Sequence, residues 1–405
     1  MKKRKIVSAI DVGTTKICTI QADVSNSDHP RIVGVGISPS KGLHKALVVN
    51  INEARESIRD SARKAEQASN CKVESAYVGV TGRHVTAVNN RGVVAITRND
   101  RMVRPEDLKR VLTSAQSLKT AGDRRLLHVI PRAYAVDGQD GVKNPVGMHG
   151  FRLDVETHVI TAAVTSIQNL VKCVRSLGID IEDLVLEPLA SSEAILTEDE
   201  KQAGVIMADI GGGTTDVAVF REGSIWHTSI LPVAGYQLTR DIAIGLGLPF
   251  DIAEEMKKKY GSVMPVYEGT TDNAHAISQD GHGVSYQDLC DILRARVEEV
   301  LKLIILEMPS ADYQKLIPAG LVLSGGSSNL AGIANLARDV IHLPVRVGAP
   351  NNLYGIADKL LDPAYATAVG LMLWGSKYEG RKNWKTPTFG NSLRRFASQL
   401  TRLFH

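Results

Sequence analysis

Two turns rich in glycine and threonine stand far apart in the chain, and each is introduced by an aspartate. Residues 11–16 read Asp-Val-Gly-Thr-Thr-Lys, and residues 209–216 read Asp-Ile-Gly-Gly-Gly-Thr-Thr-Asp. Glycine lets the backbone come close to a ligand and present its N–H groups to phosphate oxygens. Threonine hydroxyls add donors, and aspartates can hold a metal ion, usually through water. One such turn is an ordinary strand-to-turn sequence, but the pair predicts two turns that close on the phosphates of a nucleotide.

A third glycine turn supports this hypothesis. Residues 323–328 read Leu-Ser-Gly-Gly-Ser-Ser after an apolar run, and a Gly-Gly turn can pass beneath a purine ring without a side-chain clash. Coincidental strand-turn geometry is the alternative. The chain has no G-x-x-x-x-G-K-[ST] sequence, which excludes a P-loop site. The three turns supply these predicted cofactor-binding residues, with Asp11 and Asp209 as candidate metal ligands: Asp11, Gly13, Thr14, Thr15, Lys16, Gly211, Gly212, Gly213, Thr214, Thr215, Gly325, Gly326 and Ser327.

The composition is typical of a globular protein and gives no sign of nucleic-acid binding. The chain has 405 residues, 43% hydrophobic and 23% charged, which is enough for two or more domains. The net charge of +4 is small, whereas a nucleic-acid protein shows a concentrated basic face. The four cysteines form no C-x-x-C pair, so we expect reduced thiols in a cytoplasmic protein. Asp11 and Lys16 interrupt the first apolar segment, which argues against a secretion signal, and no segment approaches a spanning helix.

The elements that must position the turns repeat along the chain. Strands alternate with helices, which predicts an α/β architecture, and the second half repeats the first in outline, which predicts an internal duplication in two lobes. The predicted strands of the first half are 6–10, 17–22, 31–36 and 75–80, with a helix at 52–69; those of the second half are 204–210, 216–221, 224–231 and 320–324, with helices at 252–260 and 286–308. Between them we expect a helix at 166–177, a strand at 183–187 and a helix at 190–197.

Two segments depart from this order. Residues 83–162 contain short strands, proline-marked loops and a helix from Pro105 to about residue 119, which indicates a small inserted domain.

The second is the C-terminal segment. Residues 376–390 are basic and contain glycine and proline, as in a linker, and residues 391–405 have helical apolar spacing with arginines alongside. Such a helix can lie in the headgroup plane of an anionic membrane, and docking on the protein's own body or on a partner is the alternative. The predicted membrane-contacting residues are Leu393, Arg394, Arg395, Phe396, Leu400, Leu403 and Phe404.

With these residues in view, the chain resembles the actin superfamily of ATPases and, within it, the FtsA family of bacterial cell-division proteins. The specific sign lies in the inserted segment, where residues 127–131 read Leu-His-Val-Ile-Pro, 137–139 Asp-Gly-Gln, and 144–153 Asn-Pro-Val-Gly-Met-His-Gly-Phe-Arg-Leu. The resemblance covers residues 5–375 and resumes at the C-terminal helix. It implies an actin-like, ribonuclease H-like duplicated fold of two lobes with an inserted 1C (SHS2) domain and a C-terminal amphipathic helix.

The resemblance also implies a function. It implies a peripheral protein at the division septum, on the cytoplasmic side of the membrane, that binds ATP and Mg²⁺ with at most weak ATPase activity. It further implies self-association into filaments, contact with other division proteins, and tethering of the C-terminal peptide of the tubulin-like FtsZ to the membrane.

Further site residues follow from the resemblance. It implies that Glu187 orients water, with Asp209 as the second candidate catalytic residue, although Glu187 reads equally well as a helix-entry residue. It implies that Glu254 and Lys257, one helical turn apart, contact ribose, and an exposed salt bridge is the alternative. Gly235 is a candidate contact, but Val233-Ala234-Gly235 lacks the family's first glycine, which puts the close approach of the backbone in doubt. By resemblance, FtsZ would contact Arg296 and Glu299, which by spacing alone form a surface ion pair.

The predicted domain bounds are 1–82 and 163–190 for the first lobe, 83–162 for the inserted domain, 191–235 and 313–375 for the second lobe core, 236–312 for the 2B subdomain, 376–390 for the linker and 391–405 for the terminal helix.

Two alternative functions remain open. A sugar or acid kinase of the same fold would need a catalytic aspartate in a substrate pocket, and none is obvious. A pilus-assembly relative would lack the terminal helix.

Overall fold

The computed structural model describes residues 5–25, 30–116, 122–264, 276–279, 282–308 and 313–378. The first lobe begins with strands rich in β-branched residues, as predicted. The side chain of Asn50 caps the following helix by accepting hydrogen bonds from the N–H groups of Asn52 and Glu53, and the helix ends at Asn70 in a left-handed conformation. These elements are β1 (Ile6–Val12), β2 (Lys16–Asp23), β3 (Arg31–Pro39), β4 (Leu43–His44), β5 (Leu47–Val48), α1 (Ile51–Ser69) and β6 (Ser75–Val80).

The inserted segment forms a sheet of its own with one helix packed on it. Its elements are β7 (Val85–Ala95), α2 (Pro105–Gln116), β8 (Arg124–Val136), β9 (Gln139–Val142) and β10 (Arg152–Ala163). The four strands lie in the order β7-β10-β8-β9. Leu108 and Val111 of α2 are fully buried against Leu153 and Val155 of β10, which gives this unit its own apolar core. Residues 117–119 of the helix predicted from Pro105 lie outside the described residues.

The chain then returns to the first lobe through α3 (Val164–Arg175), β11 (Asp180–Leu186) and α4 (Glu187–Ile195). Helix α5 (Glu198–Ala203) follows and packs on the sheet of the second lobe. The strand predicted at 183–187 begins three residues earlier. The helix expected to begin at Ala190 begins at Glu187, because Pro188 lies in its first turn, where a proline is well tolerated.

The second lobe follows. Its elements are β12 (Val205–Ile210), β13 (Thr215–Arg221), β14 (Ser224–Leu231), α6 (Gly235–Gly245), α7 (Phe250–Tyr260), β15 (Ala276–Gln279), β16 (His282–Ser285), α8 (Tyr286–Leu306), α9 (Tyr313–Leu316), β17 (Leu321–Ser324), α10 (Ile333–Ile341) and β18 (Val345–Val347). The chain crosses back to the first lobe with β19 (Tyr354–Gly355) and α11 (Ala366–Lys377). Helices α5, α6, α9, α10 and α11 are absent from the sequence prediction, and α11 extends two residues into the segment expected to be linker.

The two large sheets confirm the internal duplication. The first lobe has the order β11-β6-β1-β2-β3-β19, and the second has β18-β17-β12-β13-β14 in the matching direction. In each lobe the first strand pairs antiparallel with the second and parallel with a later strand. The two glycine-threonine turns therefore occupy equivalent positions, at the hairpin between the first two strands of each lobe.

The inserted sheet also contacts the second lobe. His158 of β10 is 1% exposed, and its Nε2 lies 2.8 Å from Thr228 Oγ1 of β14. Asn89 Nδ2 of β7 donates a 3.2 Å hydrogen bond to the carbonyl oxygen of Trp226, and the Arg132 guanidinium lies 4.2 Å from the Trp226 ring centroid. The insert is therefore held to both lobes, by covalent connection to the first and by packing on the second.

Candidate nucleotide-binding cleft

A cleft of about 790 Å³ separates the two lobes. It is lined by residues of both glycine-threonine turns, of α6 and α7, and of the third glycine turn. Among the predicted cofactor and catalytic residues, those that line it are Asp11, Gly13, Thr14, Thr15, Lys16, Glu187, Asp209, Gly211, Gly212, Gly213, Thr214, Gly235, Glu254, Lys257, Gly325, Gly326 and Ser327. Thr215 does not line it. Thr215 is fully buried, and its hydroxyl donates to the Val233 carbonyl, so it holds the backbone that leads into α6.

The two predicted phosphate turns face each other at van der Waals distance. A Cβ atom built on Gly212 would lie 2.3 Å from Thr15 Cγ2, and one built on Gly213 would lie 2.6 Å from Thr14 Oγ1. Within the first turn, a Cβ on Gly13 would lie 2.8 Å from the Lys16 carbonyl oxygen. Only glycine permits this approach, which explains why the turns carry glycine at these positions.

Three carboxyl groups are buried at the base of the cleft, those of Asp11, Glu187 and Asp216, and the partly buried Asp209 lies beside them. Burial, together with the smaller effect of neighbouring carboxylates, raises the pKa of Asp11 to about 6 and that of Asp216 to about 8. The pKa of Glu187 is raised well above its usual range by burial and then by the carboxylates of Asp11, Asp216 and Asp209. Lys16 opposes the shifts of Asp11, Glu187 and Asp209. A cluster of this kind favours a ligand that brings positive charge, such as a hydrated cation.

The donor set fits a metal ion held through water rather than directly. Among the described residues, no group of three or more His, Cys, Asp or Glu side chains is placed to hold a metal ion. Asp209 Oδ2 already accepts hydrogen bonds from Ser191 Oγ at 2.8 Å and Thr367 Oγ1 at 3.2 Å, which fix its orientation. Mg²⁺ commonly keeps several waters and takes its other ligands from nucleotide phosphates, so Asp11 and Asp209 suit this outer role.

Glu254 and Lys257 form a half-buried network in the cleft wall instead of an exposed salt bridge. Their side chains are 25% and 11% exposed, and Lys257 Nζ lies 2.6 Å from Glu254 Oε2. The same ammonium donates to Thr239 Oγ1 at 2.8 Å and to the Gly235 carbonyl at 3.1 Å. This wall is therefore a preformed set of donors and acceptors of the kind that a ribose needs.

The second glycine turn is joined to the start of α6 and to the third glycine turn through the Gly211 carbonyl. It accepts a hydrogen bond from the Gly235 N–H at 3.0 Å and one from Ser327 Oγ at 3.0 Å. Gly325 has φ +82°, and a Cβ there would lie 2.4 Å from Asp209 Oδ1. The third turn is thus fixed against the second, and glycine is needed at position 325 for both conformation and space.

Ala234, which replaces an expected glycine, does not obstruct the cleft. Its φ of −168° is extended backbone that any residue adopts. Its side chain is fully buried in the core of the second lobe and does not line the cleft.

Three aromatic residues at the cleft were missed by the sequence analysis. His44 of the first lobe lies edge-on to Tyr236 of the second, with ring centroids 5.8 Å apart, and Phe250 lies 5.0 Å from Tyr236. All three line the cleft. No local pattern marks them, because His44 is brought to Tyr236 only by the packing of the two lobes. Asp216, Ser191 and Thr367 were also missed as site residues, although Asp216 ends the second turn motif.

Known proteins match the chain over most of its length. The model of the family "Cell division protein FtsA" matches residues 206–370, and the model "SHS2 domain inserted in FTSA" matches residues 82–161. The cell division protein FtsA of Pseudomonas aeruginosa is 41% identical over 92% of this chain and 89% of its own length. The FtsA protein of Escherichia coli K12 is 35% identical over 92% of this chain and 91% of its own length.

The chain belongs to the FtsA family of cell-division proteins. Solved structures agree on the fold. A protein of the PilM–PilN type IV pilus biogenesis complex superposes with a TM-score of 0.66 at 17% identity, over 92% of this chain and 99% of that one. MreB5 of Spiroplasma citri, solved bound to ADP, superposes with a TM-score of 0.54 at 13% identity, over 92% and 96%. These likenesses confirm an actin-like fold, which typically binds nucleotide. The pilus likeness is one of fold alone, whereas the sequence relatives are FtsA proteins.

The predicted FtsZ-contacting residues do not line the cleft. Arg296 of α8 pairs with Glu299 one turn later, as predicted, and also with Asp241 of α6, which the sequence analysis missed. Arg296 is 26% exposed and Glu299 53% exposed, so the cluster is accessible. The predicted membrane residues from Leu393 to Phe404 lie outside the described residues. In the part of the chain that the structure describes, no helix has the length and apolar character to cross a membrane.

Proposed function

We propose that this FtsA-family chain clamps Mg-ATP between its two lobes. The observation that carries this proposal is the contact between the two phosphate turns, in which Gly212 of the second lobe packs directly against Thr15 of the first. The phosphates would bind the backbone N–H groups and threonine hydroxyls of both turns, the ribose would bind Glu254 and Lys257, and the purine would lie on the turn at Gly325 and Gly326. When bound, Mg²⁺ would supply positive charge to the phosphates, held through water by Asp11 and Asp209.

Hydrolysis, where it occurs, would be weak and would depend on Glu187. This side chain is 8% exposed and lines the cleft beside the phosphate turns. The Glu187 carboxyl, whose pKa is raised by burial, would orient a water molecule toward the terminal phosphate. Asp209 would act beside it by fixing the hydrated cation.

The clamp would serve as a conformational lock for self-association. A nucleotide that contacts both turns favours one angle between the lobes, and a fixed angle lets successive molecules make the same head-to-tail contact. In this proposal ATP controls filament formation rather than supplying rapid turnover.

The filament would link FtsZ to the membrane at the division septum, in contact with other division proteins. The C-terminal peptide of FtsZ would bind near Arg296 and Glu299, on the exposed side of α8. The terminal segment would lie on the cytoplasmic face of the membrane through Leu393, Phe396, Leu400, Leu403 and Phe404, with Arg394 and Arg395 near anionic headgroups. A single helix of this length binds weakly, so filament formation would add avidity.

Vesicle co-sedimentation tests the membrane part of the proposal. The full chain with Mg-ATP should pellet with anionic vesicles, and F396E should abolish pelleting because it places a carboxylate in the apolar face. Q399E adds the same charge on the polar face and is the matched control. Equal loss in both variants, or no pelleting of the wild type, would contradict membrane binding by this face.

A binding assay with an FtsZ C-terminal peptide tests the partner. R296A should weaken binding, whereas R294A, on the same helix and paired with Glu298, should not. Equal affinities of both variants and the wild type would place the peptide elsewhere.

A further inference from the structure

We propose that Tyr365 is a positioning residue for Lys16, holding its ammonium group ready for the nucleotide phosphates. The inference rests on the proposed ATP site and adds to it a residue outside the three glycine turns. The observation behind it is a cation–π contact, in which Lys16 Nζ lies 4.9 Å from the centroid of the Tyr365 ring.

The surroundings of Lys16 explain why such a contact is useful. Lys16 begins β2 at the end of the first turn and lines the cleft. Its charge acts on Asp11, Glu187 and Asp209, yet among the described residues it forms no ion pair within 4.0 Å. A direct ion pair would compete with a phosphate for the ammonium group. An aromatic face stabilises the cation more weakly and leaves its N–H donors available.

Tyr365 is itself fixed by a short turn that reaches the purine side of the cleft. It ends the 3-10 turn Pro363–Tyr365, and its N–H donates to the Asp362 carbonyl at 3.0 Å. Asp362 Oδ1 accepts hydrogen bonds from the Ala364 N–H at 2.7 Å and from Asn329 Nδ2 at 3.0 Å. Asn329 lines the cleft beside the third glycine turn.

The same turn is bonded to the third glycine turn through the backbone. The Pro363 carbonyl accepts hydrogen bonds from the Gly325 N–H and from Ser324 Oγ, each at 3.2 Å. The Tyr365 ring also packs against the apolar core of the first lobe. Its orientation is therefore set by both lobes, and the ring places Lys16 relative to the purine turn.

Burial raises the pKa of Tyr365 above its usual value, so the phenol stays protonated at physiological pH. The ring face therefore remains neutral and electron-rich, as the contact requires. The hydroxyl is not needed for it, which makes phenylalanine the conservative replacement.

Calorimetric titration of the full chain with Mg-ATP and, separately, with adenosine tests the assignment. Y365L and Y365M should weaken Mg-ATP binding about three- to tenfold, the worth of one partly buried cation–π contact, and should leave adenosine binding within about twofold. Y365F should match the wild type. In a K16M background, Y365L should cause no additional loss of ATP affinity, because its effect acts through the ammonium group.

The outcomes separate this inference from the ATP site itself. If the wild type binds neither ligand, the proposed ATP site fails and the inference fails with it. If the wild type binds ATP but Y365L weakens ATP and adenosine equally, or adds to K16M, Tyr365 is a structural residue and the inference is overturned. Circular dichroism identifies a variant that does not fold, and Y365M then replaces Y365L in the comparison.

Discussion

Thr81 Oγ1 donates a 2.7 Å hydrogen bond to Asp216 Oδ1 between the two lobes. Thr81 directly follows β6 of the first lobe, and Asp216 lies on β13 of the second, where it pairs with Asp209 across the hairpin. Both side chains are buried. The lobes are therefore already connected at the base of the cleft, directly beside the acids that face the candidate phosphate site.

The pKa of Asp216 gives a prediction about stability and pH. Burial and the nearby Asp209 raise it from 3.8 to about 8. Between these two pH values the folded protein therefore keeps a proton on Asp216 that the unfolded chain has released. The stability that this carboxyl contributes is therefore present below about pH 4 and is lost as the pH rises through 8. D216N has no charge to bury and keeps an oxygen for Thr81. In nucleotide-free thermal unfolding at pH 6 and 8.5, the wild type should lose more stability than D216N, and equal losses would contradict the raised pKa.

The contact between the turns gives a second prediction. G212A places a methyl group against Thr15 and should push the lobes apart or displace the turn, at a cost of about 1–3 kcal/mol. Mg-ATP affinity should then fall about tenfold or more, because each 1.4 kcal/mol is worth a factor of about ten. G283A is the matched control, since a Cβ there meets nothing within 4 Å. Calorimetry that finds wild-type affinity for G212A would show that the turns do not bind the phosphates together.

Glu187 gives a third prediction, which separates catalysis from helix entry. E187Q keeps the size of the side chain and its place at the start of α4 but cannot act as a base. If Glu187 orients the attacking water, ATP hydrolysis should fall at least about tenfold, while Mg-ATP affinity stays within about twofold. Hydrolysis is followed by phosphate release and affinity by calorimetry. Unchanged hydrolysis would leave Glu187 with only its role in the helix.

The bridge between the insert and the second lobe gives a fourth prediction. His158 is kept neutral at physiological pH, because burial lowers its pKa to about 3. H158A and T228V should each destabilise the protein by about 1–3 kcal/mol, and the double variant should lose less than the sum. H149A, which changes an exposed histidine of the insert, should have little effect. Additive losses in urea unfolding would mean that the 2.8 Å contact is not an energetic link.

The sequence predicted most strands of the two large sheets because their patterns are local. The hairpins around both glycine turns follow from β-branched runs and turn residues, and the duplication follows from their repeated order. Helix α11 was missed for a physical reason. It is buried on almost every side, so it shows no amphipathic period. Helix α6 begins with glycine, and its N-cap residue Ala234 offers no side-chain oxygen.

Helix α10 could have been found, because its buried residues Ile333, Leu336, Ala337 and Ile341 have helical spacing. The glycines of the cleft turns could be predicted from the sequence, because a close approach of the backbone requires glycine. Tyr236 and Tyr365 could not be read in this way. Their roles depend on partners in distant parts of the chain, which only the folded arrangement of the lobes supplies.

The central claim is that one nucleotide engages both lobes at once, and hydrogen–deuterium exchange of the full chain tests it most directly. Peptides that contain residues 11–16 and residues 209–216 are followed with and without Mg-ATP. Binding to both turns should slow amide exchange in both peptides together, and G212A should lose that joint protection while G283A keeps it. Protection of one turn alone, or of neither at saturating Mg-ATP, would contradict the clamp.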